Sequence, residues 1–296
     1  MANREDTVVS QHQKDKAELF LQMHHGPDIL VLANSWDVGS SRLMEACGFK
    51  AVATTSMGIA ASLGYPDAGV MRLTEMLPVV SAIVAAVQVP VTVDMEAGYG
   101  ATTDEVVSSI KAVIETGVVG INIEDSVSLS PVLTDETEFS ETIAAIRGLS
   151  DGLGLHLVIN ARTDAFYTTS GSMDEKLAES IRRGNSYVEA GADCVFVQPV
   201  WERGLISTLV KEIHAPINIL ANPGISGGAP PSVGELQELG VARVSLGSGL
   251  MKATLALMKK IANELLREGT YKTLQEAMTP PSDAAEAYEM AIGRHR

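Results

Sequence analysis

Short apolar runs recur along this chain, separated by longer stretches in which apolar residues return every three or four positions. The runs at 29–34, 51–56, 90–96, 120–125, 155–163, 194–200, 216–222 and 243–247 read as buried strands. Between them lie amphipathic helices. In one, Leu73, Met76, Leu77, Val80, Ile83 and Val84 share a face. Others are predicted around Arg42-Leu43-Met44-Glu45-Ala46 and over 103–116, 139–149, 173–190, 204–214 and 232–239. Four of these helices run into a glycine, at Gly48, Gly117, Gly191 and Gly240, and a strand follows within a few residues. A left-handed glycine is the common helix stop. Eight strand–helix alternations predict an α/β fold, a (β/α)8 TIM-type barrel. A doubly wound open sheet is the rival, but eight units fill the length without remainder. The pattern predicts a single domain over 1–296 with a barrel core of about 28–250 and a C-terminal helical extension over 250–296. Helices are expected there at 250–266, 274–278 and 284–292, and a helix at 14–24 is expected to close the barrel bottom.

In a barrel of this kind the strands' C-terminal ends carry the chemistry. Read in order, those ends hold Asn34, Ser35 and Asp37; Thr54, Thr55 and Ser56; Asp94 and Glu96; Glu124 and Asp125; Arg162 and Asp164; Gln198; Asn222; and Ser245 and Ser248. Ser35, Asp37, Asp164 and Ser248 have helix capping as an equal reading. The acids at Asp94, Glu96, Glu124 and Asp125 are expected to gather at one end of adjacent strands. Clustered carboxylates repel unless a cation sits among them, and oxygen-only ligands favour Mg²⁺ or Mn²⁺. Arg162 reads as a clamp for a substrate oxyanion or as a salt-bridge partner. The run Thr54-Thr55-Ser56-Met57-Gly58 reads as a carboxylate cradle or an ordinary turn.

The remaining composition narrows the choices. A formal charge of −15 argues against nucleic acid, because phosphate binding needs a basic surface. Two cysteines, Cys47 and Cys194, give no disulfide framework, so a cytoplasmic location is expected. The polar stretch 1–13 has no signal-peptide core, and no run is long enough to span a membrane. His12, His24, His25, His156, His214 and His295 fall near the termini or at strand starts, away from the catalytic face. A His-ligated zinc, a Ser-His-Asp triad and a thiolate nucleophile are therefore disfavoured. Gly224-Ile225-Ser226-Gly227-Gly228 lacks the lysine of a phosphate loop.

The segments Val93-Asp94-Met95-Glu96-Ala97-Gly98-Tyr99-Gly100, Ile123-Glu124-Asp125 and Asn160-Ala161-Arg162-Thr163-Asp164 resemble the isocitrate lyase / phosphoenolpyruvate mutase family. So do Thr54-Thr55-Ser56 and Ala61-Ser62-Leu63-Gly64-Tyr65-Pro66-Asp67. The resemblance covers about 30–257. It implies a Mg²⁺-dependent enzyme (Mn²⁺ as substitute) acting beside the 2-oxo group of a small carboxylate. Asp94 would bind the metal directly, and Glu96, Glu124 and Asp67 through water. Arg162, Asp67 and Glu124 would be the catalytic groups. Thr55, Ser56, Met57, Gly58, Asp94, Arg162 and Asn222 would bind substrate. A homo-oligomer, tetramer or dimer, is implied, with a C-terminal helix packed on a neighbouring barrel.

Two departures bear on the branch. The lyases carry a Lys-Lys-Cys-Gly-His lid after strand four, where this chain has Ser126-Val127-Ser128-Leu129-Ser130-Pro131-Val132-Leu133-Thr134. The mutase and hydrolase branch carries a different lid and a histidine at the end of strand six, where Gln198 stands here. The expected activity is C–C cleavage of a 2-oxo or 2-hydroxy carboxylate through an enolate, oxaloacetate decarboxylation included. C–P bond chemistry and 2-oxo-acid binding with little turnover are the alternatives.

Overall fold

The computed structural model describes residues 9–66, 69–126, 132–168, 170–223, 228–278 and 289. Eight parallel strands, each hydrogen-bonded to the next and the last to the first, close a barrel. They are β1 (Leu30–Ser35), β2 (Val52–Thr54), β3 (Val91–Asp94), β4 (Gly120–Glu124), β5 (Val158–Thr163), β6 (Cys194–Val197), β7 (Ile217–Leu220) and β8 (Arg243–Ser245). The helices are α1 (Gln11–Met23), α2 (Val38–Ala46), α3 (Ser56–Ser62), α4 (Leu73–Ala86), α5 (Thr103–Ile114), α6 (Glu136–Gly152), α7 (Ala165–Thr168), α8 (Met173–Glu189), α9 (Arg203–Glu212), α10 (Val233–Glu238), α11 (Gly249–Glu268) and α12 (Lys272–Ala277). This is the (β/α)8 TIM-type barrel that the periodicity predicts, and the open sheet is excluded by the β1–β8 ladder. Of the predicted helix at 284–292 only Glu289 is described, and it is helical.

The glycine stops are where the sequence puts them. Gly48, Gly117, Gly191 and Gly240 have φ of 96°, 96°, 112° and 83°, and each ends a helix before the next strand. Two short helices were not expected. α3 follows β2 directly because the Thr55 side chain accepts from the Gly58 N–H, turning the loop into a helical start. α7 is a single turn after β5.

Strand register decides which side chains face the barrel interior. Asp94 pairs with Asn122, Asn122 with Asn160, and Glu124 with Arg162. Arg162 pairs with Phe196, Phe196 with Asn218, and Asn218 with Arg243. With a side-chain period of two, Asp94, Asn122, Glu124, Asn160, Arg162, Cys194, Phe196, Asn218 and Arg243 share the inner face. The apolar core is therefore displaced outward, between strands and helices, where Val93, Ile121, Ile123, Ile159, Ala161 and Val195 are buried.

α1 closes the bottom. Gln13 Nε2 donates to the carbonyls of Ile114 and Val118 at 3.0 and 2.8 Å. The Phe20 ring lies so close beneath Gly120 that a Cβ there would meet it at 2.7 Å. Among the described residues no helix is long and apolar enough to cross a membrane.

Candidate active site

Asp94 ends β3 at the barrel mouth. Its Oδ2 accepts from the Ser56 backbone N–H at 3.2 Å and from Ser56 Oγ at 2.8 Å, at the start of α3. Its own N–H donates to Thr54 Oγ1 at 3.1 Å. The cradle run 54–58 thus stands against Asp94. Gly58 permits this: a Cβ would lie 2.6 Å from Thr55 Cγ2 and 2.8 Å from Trp36 Cβ.

Glu96 and Tyr99 occupy positive φ, 48° and 54°, the only such non-glycine residues among those described. Strain of this kind persists only where surroundings enforce it. The glycines of the motif supply that enforcement. Gly98 has φ of 100°, and a Cβ would come within 2.6 Å of Val106. At Gly100 a Cβ would sit 2.5 Å from the Val106 nitrogen. The loop is pressed onto the start of α5, and Tyr99 Oη donates to Glu96 Oε1 at 3.1 Å.

Across the mouth, Arg162 lies between two acids. Nη1 is 2.5 Å from Glu124 Oε2. Nε and Nη2 donate to Asp164 Oδ1 and Oδ2 at 2.7 and 2.9 Å, a bidentate fork. The guanidinium also stacks over Phe196, 5.8 Å from the ring centre. Asp164 in turn accepts from Ser126 Oγ at 2.5 Å and from Gln198 Nε2 at 3.3 Å. Arg162 is therefore held rigidly, by residues from three strand ends. Burial, with the negative charge of Asp164, Asp94 and Glu96 behind it, pushes the Glu124 carboxyl up to about 8 against the pull of Arg162. The Tyr99 phenol is likewise pushed up by burial and by Glu96.

Asp125 leaves the cluster. Its neighbour Glu124 faces inward, so its own side chain faces outward. It accepts from Tyr187 Oη at 2.7 Å and from Arg183 Nη1 at 3.2 Å, both on α8. It also accepts from the Asp164 N–H at 3.0 Å. The expectation of four clustered acids is corrected on this point. Asp125 is a buried strut, and the acid that replaces it at the mouth is Asp164. Arg183 Nη1 also donates to the Thr134 carbonyl, tying this strut to the end of the β4–α6 loop.

Asn222, just past β7, is buried beside the start of α11. Met57 lies on the first turn of α3. Asp67 lies outside the described residues, as does most of the lid segment, 127–131, and 224–227 of the glycine-rich loop. Of the residues with a capping reading, Asp37 caps α2. Ser35 bonds to Ser41 instead, and Ser248 makes no side-chain cap bond.

The histidines stay at the other end. His156 Nε2 pairs with Asp193 at 2.7 Å at the base of β6, and His24 is buried beneath the barrel. Cys194 is buried at the start of β6, where burial raises its thiol to about 12.

Among the described residues no three acids, histidines or cysteines converge closely enough for direct ligation. The donor set fits a hard divalent cation held by one carboxylate and otherwise by water. It is all oxygen, crowded and under mutual repulsion, and Mg²⁺ keeps several of its waters. Asp164 and the Arg183–Tyr187 strut are the parts that sequence reading undervalued. Asp164 was recoverable, since it stands two residues beyond Arg162 on the same face.

Comparisons with known proteins point the same way. The family model for phosphoenolpyruvate phosphomutase matches residues 20–266. An uncharacterized protein of Mycobacterium tuberculosis (strain H37Rv) is 35% identical over 230 residues, 77% of this chain and 81% of its own. The 2-methylisocitrate lyase of Escherichia coli K12 is 27% identical over 268 residues, 87% of each chain. A crystal structure from Burkholderia cenocepacia J2315, assigned provisionally to the lyases or mutases, superposes with a TM-score of 0.85 at 32% identity. It covers 94% of this chain and 96% of that one.

Proposed function

This chain belongs to the isocitrate lyase / phosphoenolpyruvate mutase family of Mg²⁺-dependent lyases and mutases, and from that premise we propose that it is a lyase cleaving a C–C bond in a small 2-oxo or 2-hydroxy carboxylate. The observation that carries this reading is the mouth geometry. A guanidinium fixed by two acids faces a carboxylate cluster across the barrel, with no thiol or imidazole among the described residues of that face.

Mg²⁺ held by Asp94, and through water by Glu96, Glu124 and Asp67, would supply electrophilic stabilisation of the oxygen on which enolate charge develops. Arg162 binds and orients the substrate's oxo and carboxylate oxygens, and its charge is fixed in place before reaction. The Thr55 hydroxyl and the first turn of α3 at Met57 and Gly58 would bound the substrate carboxylate from that side, while both Ser56 donors hold Asp94. Phe196, over which the Arg162 guanidinium stacks, lines the adjoining wall. Glu124, with its carboxyl near neutrality, is placed to hold or release a proton at its Oε atoms. Decarboxylation of an oxaloacetate-like substrate suits this set, because it needs no separate thiol acid.

C–P chemistry on phosphonopyruvate or phosphoenolpyruvate is the second reading, supported by the family description itself. A 2-oxo-acid-binding protein with little turnover is the third. A Mg²⁺-supplemented panel of 2-oxo and 2-hydroxy acids, read for pyruvate or glyoxylate and for phosphate, separates the three. Pyruvate or glyoxylate release without phosphate supports the lyase; phosphate release, or interconversion with phosphonopyruvate, supports the second; affinity without product supports the third.

The proposed assembly is a homo-oligomer, tetramer or dimer, built through α11. Leu255, Leu257, Met258, Leu265 and Leu266 are exposed on that helix, Leu266 to 88%. Sedimentation of the full chain against Met258→Asp/Leu265→Asp should show the parent assembled and the variant reduced in mass; a monomeric parent contradicts it.

A further inference from the structure

Beneath the acids, in the barrel interior, lies a guanidinium with no carboxylate partner among the described residues. Arg243 opens β8 and is 0% exposed. Its Nη2 donates to Asn122 Oδ1 at 2.9 Å, and its Nη1 lies 3.3 Å from His24 Nε2. His24 Nδ1 is 2.8 Å from the Phe20 carbonyl, so it must carry the proton, leaving Nε2 as a neutral acceptor. Burial holds that imidazole neutral, its pKa lowered to about 3. The Phe20 ring faces the guanidinium at 5.9 Å. Among the described residues Arg243 Nε has no hydrogen-bond partner. Each described residue in contact with this cation, Asn122, His24 and Phe20, is neutral.

An uncompensated buried charge is costly, and a fold that keeps one normally has an opposite charge nearby. Here the inward-facing acids all lie above, at the mouth. Asn122, which accepts from Arg243, is the register partner of Asp94 and stands two residues below Glu124. Among the described residues, and with all four acids ionised around a bound cation, Asp94, Glu96, Glu124 and Asp164 against Arg162 leave three negative charges; Arg243 reduces them to two, which one divalent cation cancels.

We propose that Arg243 is a positioning residue for the mouth: a buried cation, kept free of any carboxylate, whose field weakens binding of the divalent cation and strengthens binding of the substrate anion. The inference rests on the metal-dependent reading above. With Arg243 beneath it, the mouth is close to neutral once a divalent cation is present, so an incoming carboxylate meets no net negative field. His24 and Phe20, carried by α1, make this possible by satisfying the guanidinium without neutralising it.

For a charge on the order of 10 Å from a divalent ion, with an effective permittivity of about 40 at a half-solvated mouth, removal changes affinity roughly tenfold. The test titrates Mn²⁺ into the full-length protein by calorimetry or water-proton relaxation, then oxalate at saturating Mn²⁺. Arg243→Gln removes the charge. His24→Glu leaves Arg243 in place and neutralises it from below, completing a buried ion pair; it decides the matter if Arg243→Gln does not fold. Arg243→Lys keeps the charge. Expected are roughly tenfold tighter Mn²⁺ and weaker oxalate for Arg243→Gln and His24→Glu, with Arg243→Lys near the parent. A merely structural Arg243 would lower thermal stability and leave both affinities within about twofold, which overturns the inference alone. A parent chain that binds no Mn²⁺ overturns the metal-dependent reading and this inference with it.

Discussion

Glu124→Gln should stabilise the metal-free protein while disabling it. Glu124 is 7% exposed, and its carboxyl is raised from 4.5 to about 8 by burial first, then by the nearby carboxylates, against Arg162. In the unfolded chain it ionises near 4.5. The fold therefore holds an extra proton between those values, and this group's contribution is intact below about 4.5 and lost as pH rises through about 8. At about 1.4 kcal/mol per pKa unit, the loss is on the order of 3 kcal/mol at pH 7 and 4–5 kcal/mol above pH 8. Glutamine keeps the shape and removes the charge, and Arg162 retains its fork on Asp164. Thermal melts in EDTA should coincide near pH 4.5 and separate as pH rises, the variant melting roughly 5–10 °C higher at pH 8. Mg²⁺ should raise the parent more than the variant. A variant that melts below the parent at pH 8 would refute the reasoning, because the 2.5 Å contact to Arg162 would then be a net stabilising ion pair.

The strut outside the barrel gives the opposite sign. Arg183→Met strands the fully buried Asp125 and should cost about 3–5 kcal/mol by denaturant unfolding, with Asp125→Asn/Arg183→Met recovering part of that loss. Gly98→Ala puts a side chain at φ 100° and against Val106; about 1–3 kcal/mol of stability should go, and cation affinity with it, as Glu96 shifts, both read by Mn²⁺ titration and thermal melts.

Much of the fold was legible because barrel strands announce themselves as apolar runs, and because glycine stops such as Gly117 and Gly191 fix where helices end. α3 was not, since its start depends on the Thr55 side chain folding back onto Gly58, a local bond inside a turn-like run. At the site, Asp94, Glu96 and Glu124 stood out by spacing. Asp125 was misplaced because adjacency in sequence hides the alternation that sends consecutive strand residues to opposite faces. Arg243 escaped notice because a basic residue opening a strand looks like a solvated end; only closure of the barrel over α1, with Phe20 and His24 beneath, makes it a buried charge.

A Mg²⁺-dependent lyase working through Asp94 and Arg162 must lose its activity with either residue or with the metal. The most direct test is pyruvate or glyoxylate release from a panel of 2-oxo and 2-hydroxy carboxylates, by the parent, Asp94→Ala and Arg162→Ala, each with Mg²⁺ and with EDTA. Expected is release by the parent with Mg²⁺, abolished by EDTA and lowered at least about 100-fold in either variant. Undiminished release in EDTA, or variants that react like the parent, would contradict it.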